Sequence, residues 1–222
     1  MPRRSPVCLL AIALSFLAAD RAASDEKARP TVKVVVDTSE VPEVAEWGKK
    51  AKALVETWYP KVSELLKSDG FIPPTEVKIV FKKEMKGVAY ASGKTITISA
   101  NWIAKHPDDL GMVVHEMTHV VQSYPRGEPS WLIEGIADYV RFIHYEPKTR
   151  IGIDTKKASY RDSYRTSAKF LGWVEKTHDK DLVRKLNEAL RKGKYTDELF
   201  ETYTKKTLDQ LWAAFLVAEE RK

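Results

Sequence analysis

The sequence predicts an α+β fold, and three observations predict it. Alternating or β-branched runs are confined to the first half of the chain, helical apolar spacing fills the second half, and no segment repeats. A hydrophobic content of 43% against 31% charged residues provides for a buried core in a chain of 222 residues, enough for one domain or two small lobes sharing a cleft.

The first element is of a different kind. "MPRRSPVCLLAIALSFLAADRAAS" opens with Arg3 and Arg4, runs largely apolar from Val7 to Ala19 and ends in small residues. That run is shorter than the roughly 20 residues a membrane-spanning helix needs, so residues 1–24 read as a secretory signal, with cleavage after Ala19 or Ser24. The sole cysteine, Cys8, lies inside it. The remaining chain, 25–222, would use no disulfides and depend on core packing and metal. Residues 25–30 read as a tether.

"VKVVVDT" (32–38) then reads as a strand. From Pro42 to about Leu66 apolar positions recur at helical spacing, with a bend expected near Pro60 and a stop at Gly70. "VKIVFKK" (77–83) alternates as a strand. "GVAYASGKTITISA" (87–100) reads as a hairpin with its bend at Ser92-Gly93 and Thr95–Ser99 returning. Pro107, Asp108 and Asp109 suit a helix start and lead into "LGMVVHEMTHVVQ". "SYPRGEPS" breaks that helix, and Ser130 is expected to cap "WLIEGIADYVRFIHY". After a polar loop (146–157) come "YRDSYRTSAKFLGWVEKT", "KDLVRKLNEALRKG", "TDELFETY" and "TLDQLWAAFLVAEE", with Thr196 and Thr207 as caps for the last two. The sheet-containing part is thus expected over about 31–122 and the helical part over about 130–222.

Charge excludes some functions. The balance is +6, and signal removal takes away three arginines and one aspartate, leaving a mildly basic chain. Its basic residues are interleaved with acidic ones, the pattern of a solvated helix face, so no nucleic-acid partner is expected. No stable membrane insertion is expected after signal cleavage. Weak association with an acidic cell-envelope surface is the one polyanion contact the charge suggests.

The chemistry concentrates in "VVHEMTHVVQ". His115 and His119 stand four apart and share a helix face, close enough for both imidazoles to reach one ion. Zn2+ suits such ligands, and Glu116 would stand beside the metal as a base for water. The flanking Met112, Val113, Val114, Met117, Val120 and Val121 predict a buried helix, where two unpaired histidines and a glutamate carry a desolvation cost that a metal offsets. A catalytic site needs a third ligand and an open position. Glu134 supplies the ligand from the next helix, Gly135 permits close approach, and Asp138, one turn on, is expected to hold a ligand imidazole by its other nitrogen.

"HEMTHVVQ" followed by "WLIEGIADYVR" resembles the basic secretory protein family of plants and bacteria, zinc peptidases of the glutamate-zincin group. The likeness continues through "SYRDSYRTSAKFLGWVE" and "LNEALRKGKYTDELFETYTKKTLDQLWAAF", over roughly residues 75–217. "WLIEG" is also similar to the "WLNEG" of M1-type aminopeptidases, whose glutamate binds zinc. No segment like their "GxMEN" amino-terminus clamp precedes His115, which favours endopeptidase over aminopeptidase action. The resemblance implies a zincin-like fold, a small sheet with an edge strand over the helix carrying the two histidines.

The expectation is therefore a secreted, periplasmic or extracellular zinc metallopeptidase acting on peptides or proteins. Zinc-activated water would attack the scissile carbonyl with Glu116 as general base. Tyr164 is the expected oxyanion donor, with Tyr160 as its rival, and Thr95, Ile96, Thr97, Ile98 and Ser99 are expected to pair with an extended substrate as an edge strand. The competing reading is a secreted recognition or defence protein that binds zinc but is catalytically idle. Glu116 argues against it, since an idle site has less need of a base.

Overall fold

The computed structural model describes residues 32–162 and 164–221; the expected signal segment, Cys8 and the tether lie outside the described residues. Residues Thr31–Lys222 make one compact unit. The architecture is α+β, as the sequence predicts. Among the described residues no helix is long and apolar enough to cross a membrane.

The strands are β1 (Lys33–Asp37), β2 (Glu76–Lys82), β3 (Ala89–Ser92) and β4 (Thr95–Ser99), in the spatial order β1-β2-β4-β3. β1, β2 and β4 run parallel, and β3 is antiparallel to β4. In β2 the period-two pattern buries Val77, Ile79 and Phe81 on one face while Lys78 and Lys82 reach solvent. Burying each of those three side chains stabilises by about 1.5–3 kcal/mol. The ion pairs Lys33–Glu76 and Lys78–Asp37 tie β1 to β2 at the surface, where such pairs contribute little.

The parallel β1–β2 pairing demands a crossover, which α1 (Ala45–Leu65) supplies after a 3-10 turn at Pro42–Val44. The helix continues through Pro60 and ends before Gly70. Its stop comes at Leu66, whose carbonyl accepts from Asn187 Nδ2 at 2.9 Å and Arg191 Nη1 at 3.0 Å. Buried Trp47, Ala51, Val55, Tyr59 and Val62 form its inner face, which packs against β1 and α3.

The β3–β4 hairpin turns at Gly93-Lys94, one residue later than expected, with Gly93 at φ +55° and Ser92 opposite Thr95. Strand order overturns one expectation. Thr95–Ser99 is not the sheet edge: it pairs with β2 on one side and β3 on the other. Its backbone groups are committed, so no peptide can add to it. The edge is β3.

A short helix the sequence pattern hid, α2 (Ala100–Lys105), follows β4 directly, with Ser99 accepting from the Trp102 amide. Pro107–Leu110 form a turn, and α3 begins only at Gly111 and runs to Gln122. A Cβ on Gly111 would lie 2.1 Å from Glu146 Oε1 and 2.6 Å from Arg141 Nε. The close passage of that ion pair explains why the helix starts at a glycine.

α4 (Ser130–Tyr139) passes into one turn of π-helix at Val140–Tyr145. Pro129, not Ser130, occupies its N-cap position, with no side-chain cap. The remainder is helical: a 3-10 turn at Tyr160–Asp162, α5 (Tyr164–Thr177), α6 (Leu182–Arg191), α7 (Glu198–Thr204) and α8 (Leu208–Glu220). Thr207 caps α8 through a full capping box, as the sequence suggests, whereas Asp197 rather than Thr196 holds the N-cap position of α7, with no side-chain cap. Trp131, Tyr160, Phe170, Phe200, Trp212 and Phe215 interlock between α4, α5, α7 and α8, with ring centroids 5.2–6.4 Å apart.

Candidate metal centre

α3 is buried nearly all round, as its sequence demands, and only the side carrying His115, Glu116 and His119 opens on a cleft. That cleft, about 1030 Å³ in volume, lies between β3, α3, α4 and the start of α5. His115 is 8% exposed and Glu116 7%.

The i, i+4 spacing brings His115 Nε2 and His119 Nε2 to 3.0 Å from each other. Glu134 reaches in from α4, with Oε2 3.1 Å from His115 Nε2 and 3.4 Å from His119 Nε2. Gly135 makes this possible by letting α4 settle on α5: a Cβ there would fall 2.7 Å from Ser167 Cβ. His115, His119 and Glu134 are therefore brought together as a group that could hold a metal ion.

The outer nitrogens decide what the inner ones can do. His115 Nδ1 lies 2.7 Å from Asp138 Oδ1. His119 Nδ1 lies 2.7 Å from Gln122 Oε1, and Gln122 Nε2 donates to the Ile133 carbonyl at 3.0 Å. That second bond fixes the glutamine amide, so its oxygen faces His119 and must accept. Both imidazoles thus donate from Nδ1 and turn Nε2 lone pairs inward, where the Glu134 carboxylate also points. Three acceptors converging at the floor of the cleft are a set that a cation would satisfy.

The donor set fits zinc in both chemistry and size. Two imidazole nitrogens and one carboxylate oxygen are ordinary zinc ligands, with bonds of about 2.0–2.2 Å. Tetrahedral ligands at that distance stand about 3.3 Å from one another, and the three separations here are 3.0, 3.1 and 3.4 Å.

Electrostatics carry the same message. Burial works to lower the His115 pKa, but its bonds to Asp138 and Glu134 outweigh that and raise it to about 9. Burial works to raise that of Glu134, and its bonds to His115 and His119 instead hold it down at about 2. Without metal, a proton on His115 is the cation the site retains. Glu116 is pushed up by burial, which the nearby histidines only partly oppose, and its carboxylate accepts a hydrogen bond from the Ala91 backbone amide of β3.

Tyr164 stands at the cleft lip, 53% exposed, its ring 6.0 Å from that of His115 and nearly parallel to it. It has φ +51°, a conformation uncommon for a tyrosine, which turns α5 into the cleft as the helix starts. Its hydroxyl makes no hydrogen bond among the described residues. The charge on Glu134 and then burial raise its pKa, so it stays a protonated donor. Tyr160 is not in the cleft: it is buried in the aromatic cluster and its hydroxyl donates to Asp209 at 3.2 Å. Of the expected strand residues Thr95–Ser99 none lines the cleft; Val88, Ala89, Tyr90 and Ala91 do.

Sequence reasoning did not single out Gln122, Ala91 or Arg141. Gln122 had a signal, a polar residue three places after His119 on an otherwise apolar turn. Ala91 and Arg141 had none, since their roles arise from the hairpin register and the π turn. Arg141 Nη2 bonds Asp109 Oδ1 at 2.7 Å and its Nε bonds Glu146 at 3.2 Å, pinning the start of α3 to the π turn.

A family model described as "Peptidase of plants and bacteria" matches residues 20–215. No match was found among curated proteins or among solved structures.

Proposed function

The chain belongs to this family of peptidases of plants and bacteria, and we propose that it is a secreted zinc metallopeptidase with endopeptidase action. The observation that supports this best is the convergence of the His115, His119 and Glu134 acceptors at zinc-like spacing, with Glu116 on the same helix and outside that set.

A zinc ion held by His115, His119 and Glu134 would supply a Lewis acid that polarises a peptide carbonyl and acidifies water. The residues of the chain do the rest. Glu116, its pKa raised by burial, accepts a proton from water at neutral pH and returns it to the departing amine. The Ala91 amide fixes that carboxylate in place. Tyr164, protonated and without a partner for its hydroxyl among the described residues, donates to the oxyanion that develops on the carbonyl oxygen. Asp138 and Gln122 hold the two imidazoles in the tautomer that keeps Nε2 bare.

β3 positions the substrate. Ser99 N donates to Val88 O at 3.0 Å, which sets Val88, Tyr90 and Ser92 as the residues bonded to β4. The carbonyls of Ala89 and Ala91 therefore face the free edge along the cleft, ready to pair with an extended peptide.

The test is a peptide-library digest by zinc-loaded wild type beside Glu116→Gln. The expected result is cleavage by the wild type, and stoichiometric zinc without cleavage in the variant. A wild type that binds zinc yet cuts nothing in a broad library would instead make this a recognition protein.

A further inference from the structure

The cleft holds charges that the proposed chemistry does not use. Each acidic lining group outside the candidate centre is engaged: Asp109 accepts from Trp102 Nε1 and pairs with Arg141, and Asp162 accepts from the Ser159 amide. Arg141 is engaged too, by Asp109 and Glu146. Two cleft arginines have no carboxylate partner among the described residues, Arg126 and Arg165.

They differ in how they are held. Arg165 follows Tyr164, whose ring stacks on His115, and lines the same cleft as the candidate centre. Its guanidinium lies over the Phe142 ring, 4.7 Å from the centroid, and Phe142 is itself buried and forms part of the cleft wall. A guanidinium laid on an aromatic face keeps its edge N–H groups free and has lost much of its rotational freedom before a ligand arrives. No such stacking holds Arg126.

We propose that Arg165, seated on Phe142, is a carboxylate-recognition subsite that directs the enzyme towards peptides bearing an acidic side chain or a free C-terminus near the scissile bond. The planar fork matches a carboxylate in bidentate geometry, which a lysine would not reproduce. The neighbouring Arg141 does not serve, since its charge is already paired with the carboxylates of Asp109 and Glu146. The subsite is a specificity device built on the peptidase reading and rests on it.

Two readouts separate this inference from that reading. The first is kcat/KM for peptide pairs differing only in Asp against Asn or Glu against Gln at one position, and in free acid against amide at the C-terminus. The wild type is expected to favour the carboxylate member of one pair on the order of tenfold. Arg165→Gln is expected to bring that ratio close to one, Arg165→Lys to leave an intermediate ratio, and Arg126→Gln to keep it. Whichever pair responds identifies the source of the carboxylate. The second readout is the affinity of the same peptides for Glu116→Gln and for Glu116→Gln/Arg165→Gln, which requires no hydrolysis. A carboxylate preference in the first that is lost in the second supports the subsite even if the wild type cleaves nothing, in which case only the peptidase reading falls. Equal binding of acid and amide peptides by Glu116→Gln, or a preference that survives loss of Arg165, overturns the inference.

Discussion

Replacing Gly135 with alanine tests how closely the candidate centre depends on the α4–α5 contact. The new Cβ would lie 2.7 Å from Ser167 Cβ and 3.7 Å from the Ser167 carbonyl carbon. Ser167 cannot swing aside, because it is fully buried and its hydroxyl donates to the Tyr160 carbonyl at 2.6 Å. Carbon atoms in contact prefer about 3.5–4.0 Å, so the helices must part by roughly an ångström. Overpacking of this kind costs about 1–3 kcal/mol, while alanine for glycine inside a helix returns about 1 kcal/mol. The expected net loss is up to about 2 kcal/mol, a fall in Tm of up to roughly 8 °C for a domain of this size. Because Glu134 precedes the displaced residue, zinc affinity should fall as well. Denaturant unfolding of Gly135→Ala, Ser167→Gly and the double variant gives a double-mutant cycle. Removing the opposing Cβ should recover about 1 kcal/mol or more of coupling. Strictly additive effects in that cycle would refute the close-contact argument.

Three further outcomes follow from the site and its supports. Asp138→Asn and Gln122→Leu should each weaken zinc binding by about 10–100-fold, read by competition with a chromophoric chelator; unchanged affinity would free that residue from any role in orienting its histidine. In the metal-free protein the raised pKa of His115 contributes stability that is full below its unfolded value of 6.5 and lost as pH rises through about 9, while the depressed Glu134 contributes stability present above 4.5 and lost as pH falls towards about 2. Thermal melts should therefore show the gap between zinc-loaded and metal-free protein widening from pH 6.5 to 9, because zinc needs the unprotonated imidazole; a gap that narrows would contradict this. Arg191 donates to the carbonyls of Val121, Gln122 and Leu66, holding the end of α3 to the end of α1. Arg191→Met should lower stability by about 2–4 kcal/mol in denaturant unfolding, since buried carbonyls lose their donor, and a loss under 0.5 kcal/mol would assign the arginine no such role.

The parts legible in the sequence were those whose signal is local. His115, His119 and Glu134 could be placed on facing helices because apolar flanks and the intervening Pro125, Gly127 and Pro129 dictate two buried helices joined by a turn. Thr207 announces its helix by its own side chain. What failed depends on distant pairing. Thr95–Ser99 has the alternation of a strand, but which of two hairpin strands meets β2 is decided across the sheet, and Ile96 and Ile98 win the centre because both are fully buried there. Helix α2 is only six residues long and its apolar pattern merges into the hairpin before it. The start of α3 lies at Gly111 rather than Pro107, and the ion pair from the π turn that passes close to Gly111 leaves no local signal. Tyr164 lines the cleft and Tyr160 packs in the aromatic cluster, a difference that leaves no trace in apolar spacing.

The central claim is that His115 Nε2, His119 Nε2 and Glu134 Oε2 grip a single zinc ion. Anomalous diffraction across the zinc absorption edge, on crystals of zinc-loaded protein, tests it most directly. One peak about 2.0–2.2 Å from all three atoms is expected. A peak placed elsewhere, or none in that cradle after zinc loading, would contradict it.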